Sequence, residues 1–335
     1  MMSMPKLPLV LLCLLSLSSA ASAHKTAKKI EATLGTPPAR CATPGVDAPT
    51  KVSEEESAAG QVETWQFHNC AGLVSVKVAL PKNADASTPV VLAFPQTGVA
   101  GADEVFGIKG DAGLAYGLRF LRAGFAVVSP EVFINADSAV ASKNWDTASF
   151  YEHFPQWSAL GRMLTDDRSV LDVLPGLERS PSCIAAVGHS LGGYNSLFLA
   201  AFDKRVNAVV SSAGFESIAT DDDAQRWART SWFIYAPALR PFLTTAAPRS
   251  VPWDFDDLLR MIYPRPVMIV QGTDDPVWTK EDELPDFLKA TQDRYKNAGL
   301  AENFSLSMFK GGHAFPGFAQ DAAISMVTKA CLNKR

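Results

Sequence analysis

The chain has 335 residues, 47% hydrophobic and 20% charged, enough to bury the core of one large domain or two small ones. Its 31 Lys and Arg against 35 Asp and Glu leave a net charge of −4. That balance gives no electrostatic ground for nucleic acid or an anionic membrane as a partner.

Taken in chain order, residues 1–23 read as a secretory signal peptide. Lys6 precedes the apolar stretch Leu7–Leu17, and small residues follow to an Ala21-Ser22-Ala23 cleavage site. The stretch is short for a membrane span, and Leu12 before Cys13 argues against a lipid anchor. A secreted or periplasmic protein is expected, with no stable membrane insertion after cleavage. Residues 24–60, rich in Ala, Lys, Thr, Pro and Glu, read as a loose leader, and 61–335 as the folded domain.

Within that domain, Val62–Asn69 and Leu73–Leu80 read as strands, the second alternating through Val74, Val76 and Val78. They are expected to pair antiparallel at one edge of a sheet. Pro89–Phe94, Phe125–Ser129, Ile184–Gly188, Val206–Ser211, Val267–Gln271 and Phe304–Phe309 are short apolar runs, the pattern of strands buried on both faces. Helical spacing fills Gly113–Ala123, Trp157–Leu177, Leu191–Phe202, Asp256–Tyr263, Lys280–Ala298 and Ala319–Leu332. This alternation predicts an α/β fold, a mostly parallel central sheet with helices on both faces. Two aromatic-rich insertions, Glu131–Gln156 and Phe215–Asp254, interrupt it after strand C-terminal ends. They wall a substrate pocket or are simply packed insertions. Of the cysteines beyond the signal, Cys41 and Cys70 flank the first strands and are the expected disulfide pair. Cys183 reads as a small buried hydrophobe, and Cys331 is left over. No cysteine and histidine cluster suggests a metal.

The strongest local pattern is Gly188-His189-Ser190-Leu191-Gly192-Gly193, a G-x-S-x-G sequence between an apolar strand and a helix. Such a turn is so tight that residues two before and two after the serine must be small. It pushes the Ser190 hydroxyl above the sheet as a nucleophile. A serine hydroxyl needs a base. Among five histidines, His313 follows the last strand in a Gly311-Gly312 turn that lets an imidazole reach back over the sheet. The supporting acid is expected after Val267–Gln271, at Asp275, with Asp274 as competitor and Glu216 as a weaker rival. An oxyanion hole needs two N–H donors. Leu191 supplies one. Gln96 supplies the other, since Pro95 has no N–H, with Thr97 as second choice. Asp221-Asp222-Asp223 reads as a solvated loop or helix start rather than a cation site; Asn303-Phe304-Ser305 fits a glycosylation sequon at a strand start but reads as ordinary surface.

These residues carry a resemblance. Gln96-Thr97-Gly98 with Asp103-Glu104, Ala115-Tyr116, Gly124–Pro130, the Gly188–Gly193 turn, Gly272–Asp275 and Gly312-His313 resemble the α/β-hydrolase superfamily. The likeness is to its dienelactone-hydrolase-like and acetyl-xylan-esterase-like branch, and it runs from Val62 to the C-terminus. The resemblance implies hydrolysis of carboxylic esters, small or polysaccharide-linked, without a cofactor. Two departures stand out: Pro95 replaces a histidine often found before Gln-Thr, and Ser190 replaces the cysteine of dienelactone hydrolases proper. The second argues against lactone-ring chemistry of that narrow kind. A serine peptidase of the same fold, or a binding protein that lost its chemistry, are the alternatives.

Overall fold

Five of the six apolar runs become inner strands of one sheet, and the sixth its edge. The structure, a computed structural model, describes residues 24–42, 45–58, 60–142, 144–278 and 283–332. The expected signal peptide at 1–23 lies outside the described residues.

The described residues form nine strands, β1 (Thr50–Ser57), β2 (Gly60–His68), β3 (Leu73–Ala79), β4 (Val90–Phe94), β5 (Ala126–Pro130), β6 (Ile184–His189), β7 (Ala208–Ser212), β8 (Val267–Gly272) and β9 (Phe304–Phe309). Their order across the sheet is β1-β2-β3-β5-β4-β6-β7-β8-β9. The first three pair antiparallel, β3 also runs antiparallel to β5, and every pairing from β5 to β9 is parallel.

The central strands are apolar throughout because both faces are covered. In β4, Val90, Leu92 and Phe94 join one core while Val91 and Ala93 join the other. In β8, Val267 and Ile269 face the first core and Met268 and Val270 the second. Helices Ala159–Val173, Leu191–Phe202, Phe255–Ile262 and Leu284–Asn297 cover the first face. Helices Tyr116–Arg122 and Gly317–Leu332 cover the second. None of the helices, among the described residues, is long and apolar enough to cross a membrane.

Three expectations need correction. The segment 24–60 is not loose: residues 24–34 form a helix, and β1 forms the sheet edge beside β2. Composition hid both. The helix buries only Ile30, Thr33 and Leu34, and β1 is almost wholly exposed. The helix is tied down by a 2.7 Å bond from Trp253 Nε1 to Thr33 Oγ1. Cys183 is not a lone hydrophobe: it is bonded to Cys331, fixing the last helix to the start of β6. Cys41 and Cys70 pair as expected. Finally, Asp221 is fully buried rather than solvated, because it faces Arg226 at 3.0 Å. Asn303 donates its side-chain amide to Pro264 O at 3.2 Å.

The two insertions pack on each other. Thr147 Oγ1 donates to Trp232 O at 2.9 Å and accepts from Ile234 N–H at 3.1 Å, and the Tyr151 hydroxyl donates to Ile234 O at 2.7 Å. Most of their aromatic residues, Phe133, Trp145, Phe150, Trp227, Phe233 and Trp253, are buried and serve as core; Trp232 stays exposed.

Candidate active site

β6 ends at His189, and helix Leu191–Phe202 starts immediately, leaving Ser190 alone at the turn with φ 53° and ψ −121°. A non-glycine residue there is strained, and it persists only if its surroundings over-determine it. They do. The Ser190 N–H donates to Ser212 O at 2.8 Å. A Cβ on Gly188 would lie 2.1 Å from Gly192 O, and one on Gly192 would lie 1.9 Å from Phe94 O. Both flanking glycines are therefore required by backbone contact, as the sequence pattern implied. The second contact also sets the end of β4, and so Pro95 and Gln96, against the turn.

Leu191 and Gln96 keep their backbone N–H groups without a protein acceptor among the described residues. That is the condition two oxyanion donors must meet before substrate arrives. The Gln96 loop is held from two sides. Asn135 Nδ2 donates to Gly98 O at 3.2 Å, and Tyr235 of the second insertion faces the Thr97 side chain. The half-buried Glu131, directly after β5, accepts from Ala102 N–H at 2.9 Å and from Asn135 Nδ2 at 2.9 Å. Burial pushes the Glu131 carboxyl up from its usual value, against those bonds.

His313 Nδ1 lies 2.8 Å from Asp275 Oδ2. Asp275 is buried, and it also accepts from Val277 N–H at 2.8 Å and Gln271 Nε2 at 3.1 Å. Burial disfavours its charge, yet the bonds to His313, Val277 and Gln271 outweigh burial and hold its carboxyl below the usual range. An ionised Asp275 fixes the tautomer with the proton on Nδ1, leaving His313 Nε2 free to accept one. The loops bearing Asp275 and His313 are zipped together: Asp274 N–H donates to Gly311 O at 2.9 Å and Thr273 N–H to Phe309 O at 2.8 Å. Gly272 is needed there, since a Cβ would meet Gly311 O at 2.4 Å. Asp274 itself is exposed. Glu216 turns its carboxylate to Ser217 N–H at 3.0 Å. Of the three acids weighed, Asp275 is the one on the imidazole.

The His189 and His313 rings stand 4.7 Å apart between centroids, which brings the imidazole beside the residue preceding Ser190. Ser212 joins these parts. Its carbonyl takes the Ser190 N–H, and its hydroxyl donates to Ala314 O at 3.3 Å and accepts from His189 Nδ1 at 3.1 Å. This assigns His189 the Nδ1–H tautomer, with its buried Nε2 a bare lone pair. Burial, helped by the neighbouring His313, pulls the His189 pKa down to about 3, so it stays neutral.

Two further positioning groups had no legible role in the sequence. The Tyr116 hydroxyl, fully buried, donates to Phe94 O and lies at the His189 backbone N–H. It thereby links the Gln96 loop to the Ser190 turn. Arg226 donates to Val277 O, and its guanidinium sits 4.9 Å from the Trp278 ring, bracing the acid loop. Tyr116 stood within a resembling motif without a visible function. Ser212 and Arg226 carried no signal, because their roles depend on contacts across the fold. Among the described residues no group of acids, histidines and cysteines is arranged to hold a metal.

No family model and no curated protein sequence matches the chain. Solved structures do. Methylesterase BT1017 matches at TM-score 0.63 and 14% identity over 93% of this chain; the chain spans 63% of that protein. The chain has the α/β-hydrolase fold. A glucuronoyl esterase from Solibacter usitatus matches at TM-score 0.62 and 13% identity, covering 88% of each chain. A Bacteroides fragilis protein assigned as an acetyl xylan esterase matches at 0.59 and 19%, over 87% of this chain and 74% of its own. These esterases of the α/β-hydrolase fold lie in the branch to which the sequence motifs pointed.

Proposed function

We propose that this protein is a serine esterase, exported from the cytoplasm, that cleaves carboxylic esters through Ser190, His313 and Asp275. The observation that carries the reading is the 2.8 Å bond from His313 to the buried Asp275, beside a serine held at φ 53°. The esterase names of its structural neighbours support the same reaction class.

In the proposed cycle, the Ser190 oxygen attacks the ester carbonyl while His313 Nε2 takes its proton. The carbonyl oxygen becomes an oxyanion between the N–H groups of Leu191 and Gln96. Collapse of the tetrahedral intermediate expels the alcohol, which receives the proton from His313. Water, deprotonated by the same imidazole, then splits the acyl-enzyme. Asp275 stays ionised throughout and stabilises the imidazolium. The disulfides Cys41–Cys70 and Cys183–Cys331 fit an oxidising compartment, in keeping with export. No nucleic-acid partner enters this reading.

The test is a panel of 4-nitrophenyl acyl esters and acetylated sugars beside peptide substrates, run on wild type and Ser190→Ala. Ester turnover that vanishes in the variant, with folding intact by circular dichroism, is the expected result. Near-normal activity in Ser190→Ala, or cleavage of peptides alone, contradicts it.

A further inference from the structure

Within the second insertion, which also carries Glu216, Asp221, Asp222, Asp223 and Asp254, one stretch is rich in arginine. From Ala224 to Trp253 it holds Arg226, Arg229, Arg240 and Arg249 and no Asp or Glu, in a protein of net charge −4. Three of these arginines have protein partners. Arg226 faces Asp221 at 3.0 Å, Arg240 donates to Ala228 O at 3.0 Å and Arg229 O at 2.8 Å, and Arg249 donates to Asp221 O at 2.7 Å.

Arg229 differs. Among the described residues its guanidinium meets no carboxylate and no carbonyl; it lies over the Trp232 ring, 5.0 Å from the centroid. Trp232 is 39% exposed, yet its backbone is fixed by the two bonds from Thr147 to its carbonyl, at 3.1 and 2.9 Å. A weakly hydrated guanidinium stacks on an aromatic face while its N–H edges stay free, and those edges match a carboxylate in a two-point fork. An arginine braced this way, with its backbone carbonyl also held, loses little freedom on binding an anion.

The pair's sequence neighbours pack toward the candidate site. Trp227, two residues before Arg229, packs 5.5 Å from the Tyr194 ring, and Tyr194 N–H bonds to Ser190 O. Tyr235, three residues after Trp232, packs 5.5 Å from Tyr194 and faces Thr97, next to Gln96. The charge of Arg229 acts on both tyrosine hydroxyls.

We infer that Arg229, braced on Trp232, is a substrate-recognition residue for a carboxylate, and that the preferred substrates are esters bearing a free carboxylate besides the ester that reacts. The reaction rests on the esterase reading above; the binding of a carboxylate does not.

The test compares kcat/KM for two matched pairs, 4-acetoxybenzoate against 4-acetoxybenzamide, and O-acetylated galacturonic acid against O-acetylated galactose. Wild type is expected to favour the anionic member of at least one pair about tenfold at low salt, as a forked charge-assisted contact allows, with the preference shrinking as salt rises. Arg229→Gln brings that ratio close to one, and Arg229→Lys keeps part of it. A folding defect lowers both members of a pair alike, so the ratio is unaffected by it. Which pair responds tells an aromatic acid from a sugar acid. No anionic preference in wild type, or a preference unchanged in Arg229→Gln, overturns the inference. If no ester is hydrolysed at all, the esterase reading fails, and titration of the Ser190→Ala protein with benzoate and galacturonate, followed by tryptophan fluorescence, decides: binding lost in the Arg229→Gln double variant supports the inference, and no binding contradicts it.

Discussion

The nucleophile turn and the second insertion stand side by side, yet they are held in different ways. At Gly188–Gly193 the fit is backbone against backbone: Gly188 against Gly192, and Gly192 against Phe94 O. Nothing larger than hydrogen is tolerated, so the sequence there has almost no freedom. Across 215–254 many contacts run through side chains, such as Arg226 to Val277 O and Tyr235 to Thr97. Many sequences could make equivalent contacts. The comparison teaches that the Ser190 turn is fixed by close backbone approach, while the insertion beside it is held largely by replaceable side chains.

The sharpest way to break that comparison is at the acid. Asp275→Asn should lower kcat by about 10⁴, because an amide cannot hold His313 in the required tautomer; a rate within tenfold of wild type in a steady-state assay would move the acid to Asp274 or Glu216. Next is the backbone contact itself. Gly192→Ala places a Cβ 1.9 Å from Phe94 O, and overpacking against an unyielding main chain should cost about 3 kcal/mol or more in urea unfolding. A variant of wild-type stability would show that the turn is looser than described. Tyr116→Phe is milder. It removes the hydroxyl joining Phe94 to His189 and should cost about 1 kcal/mol of stability with a fall in kcat larger than any change in KM. A KM effect alone would place Tyr116 in substrate binding.

A further prediction concerns pH. His189 is neutral in the fold, its pKa drawn down to about 3 from an ordinary 6.5, chiefly by burial. Between those values the unfolded chain binds a proton that the native chain does not, so stability falls as pH drops from 6.5 toward 3. The slope is about 1.4 kcal/mol per pH unit from this one group. His189→Gln should flatten the loss between pH 6.5 and 4.5 relative to wild type, measured by urea midpoints. Parallel curves for the two proteins would show that this imidazole is not kept neutral by the fold.

Much of this architecture was legible because the signals were local. Doubly buried strands such as Val90–Phe94 cannot avoid being apolar, and the Ser190 turn cannot avoid its glycines. Asp275 followed from its place after β8. What escaped was non-local or chemically quiet. β1 is an exposed edge strand of charged and small residues, with no apolar alternation to read. The helix at 24–34 is anchored by Trp253, more than two hundred residues away. Cys183 and Cys331 sit 148 residues apart, and spacing alone does not pair them. Ser212, Tyr116 and Arg226 matter only because the fold brings them to Ser190, Phe94 and Val277. The aromatic richness of the insertions was visible, but not that most of those rings form core while Trp232 stays exposed.

The central claim is that His313 makes the Ser190 oxygen nucleophilic. It is tested most directly by treating the protein with a fluorophosphonate and locating the adduct by peptide mass spectrometry. The account predicts a single adduct, on Ser190, formed rapidly in wild type and slowed by orders of magnitude in His313→Ala. Labelling elsewhere, no labelling of the folded protein, or equal rates with and without the imidazole would contradict it.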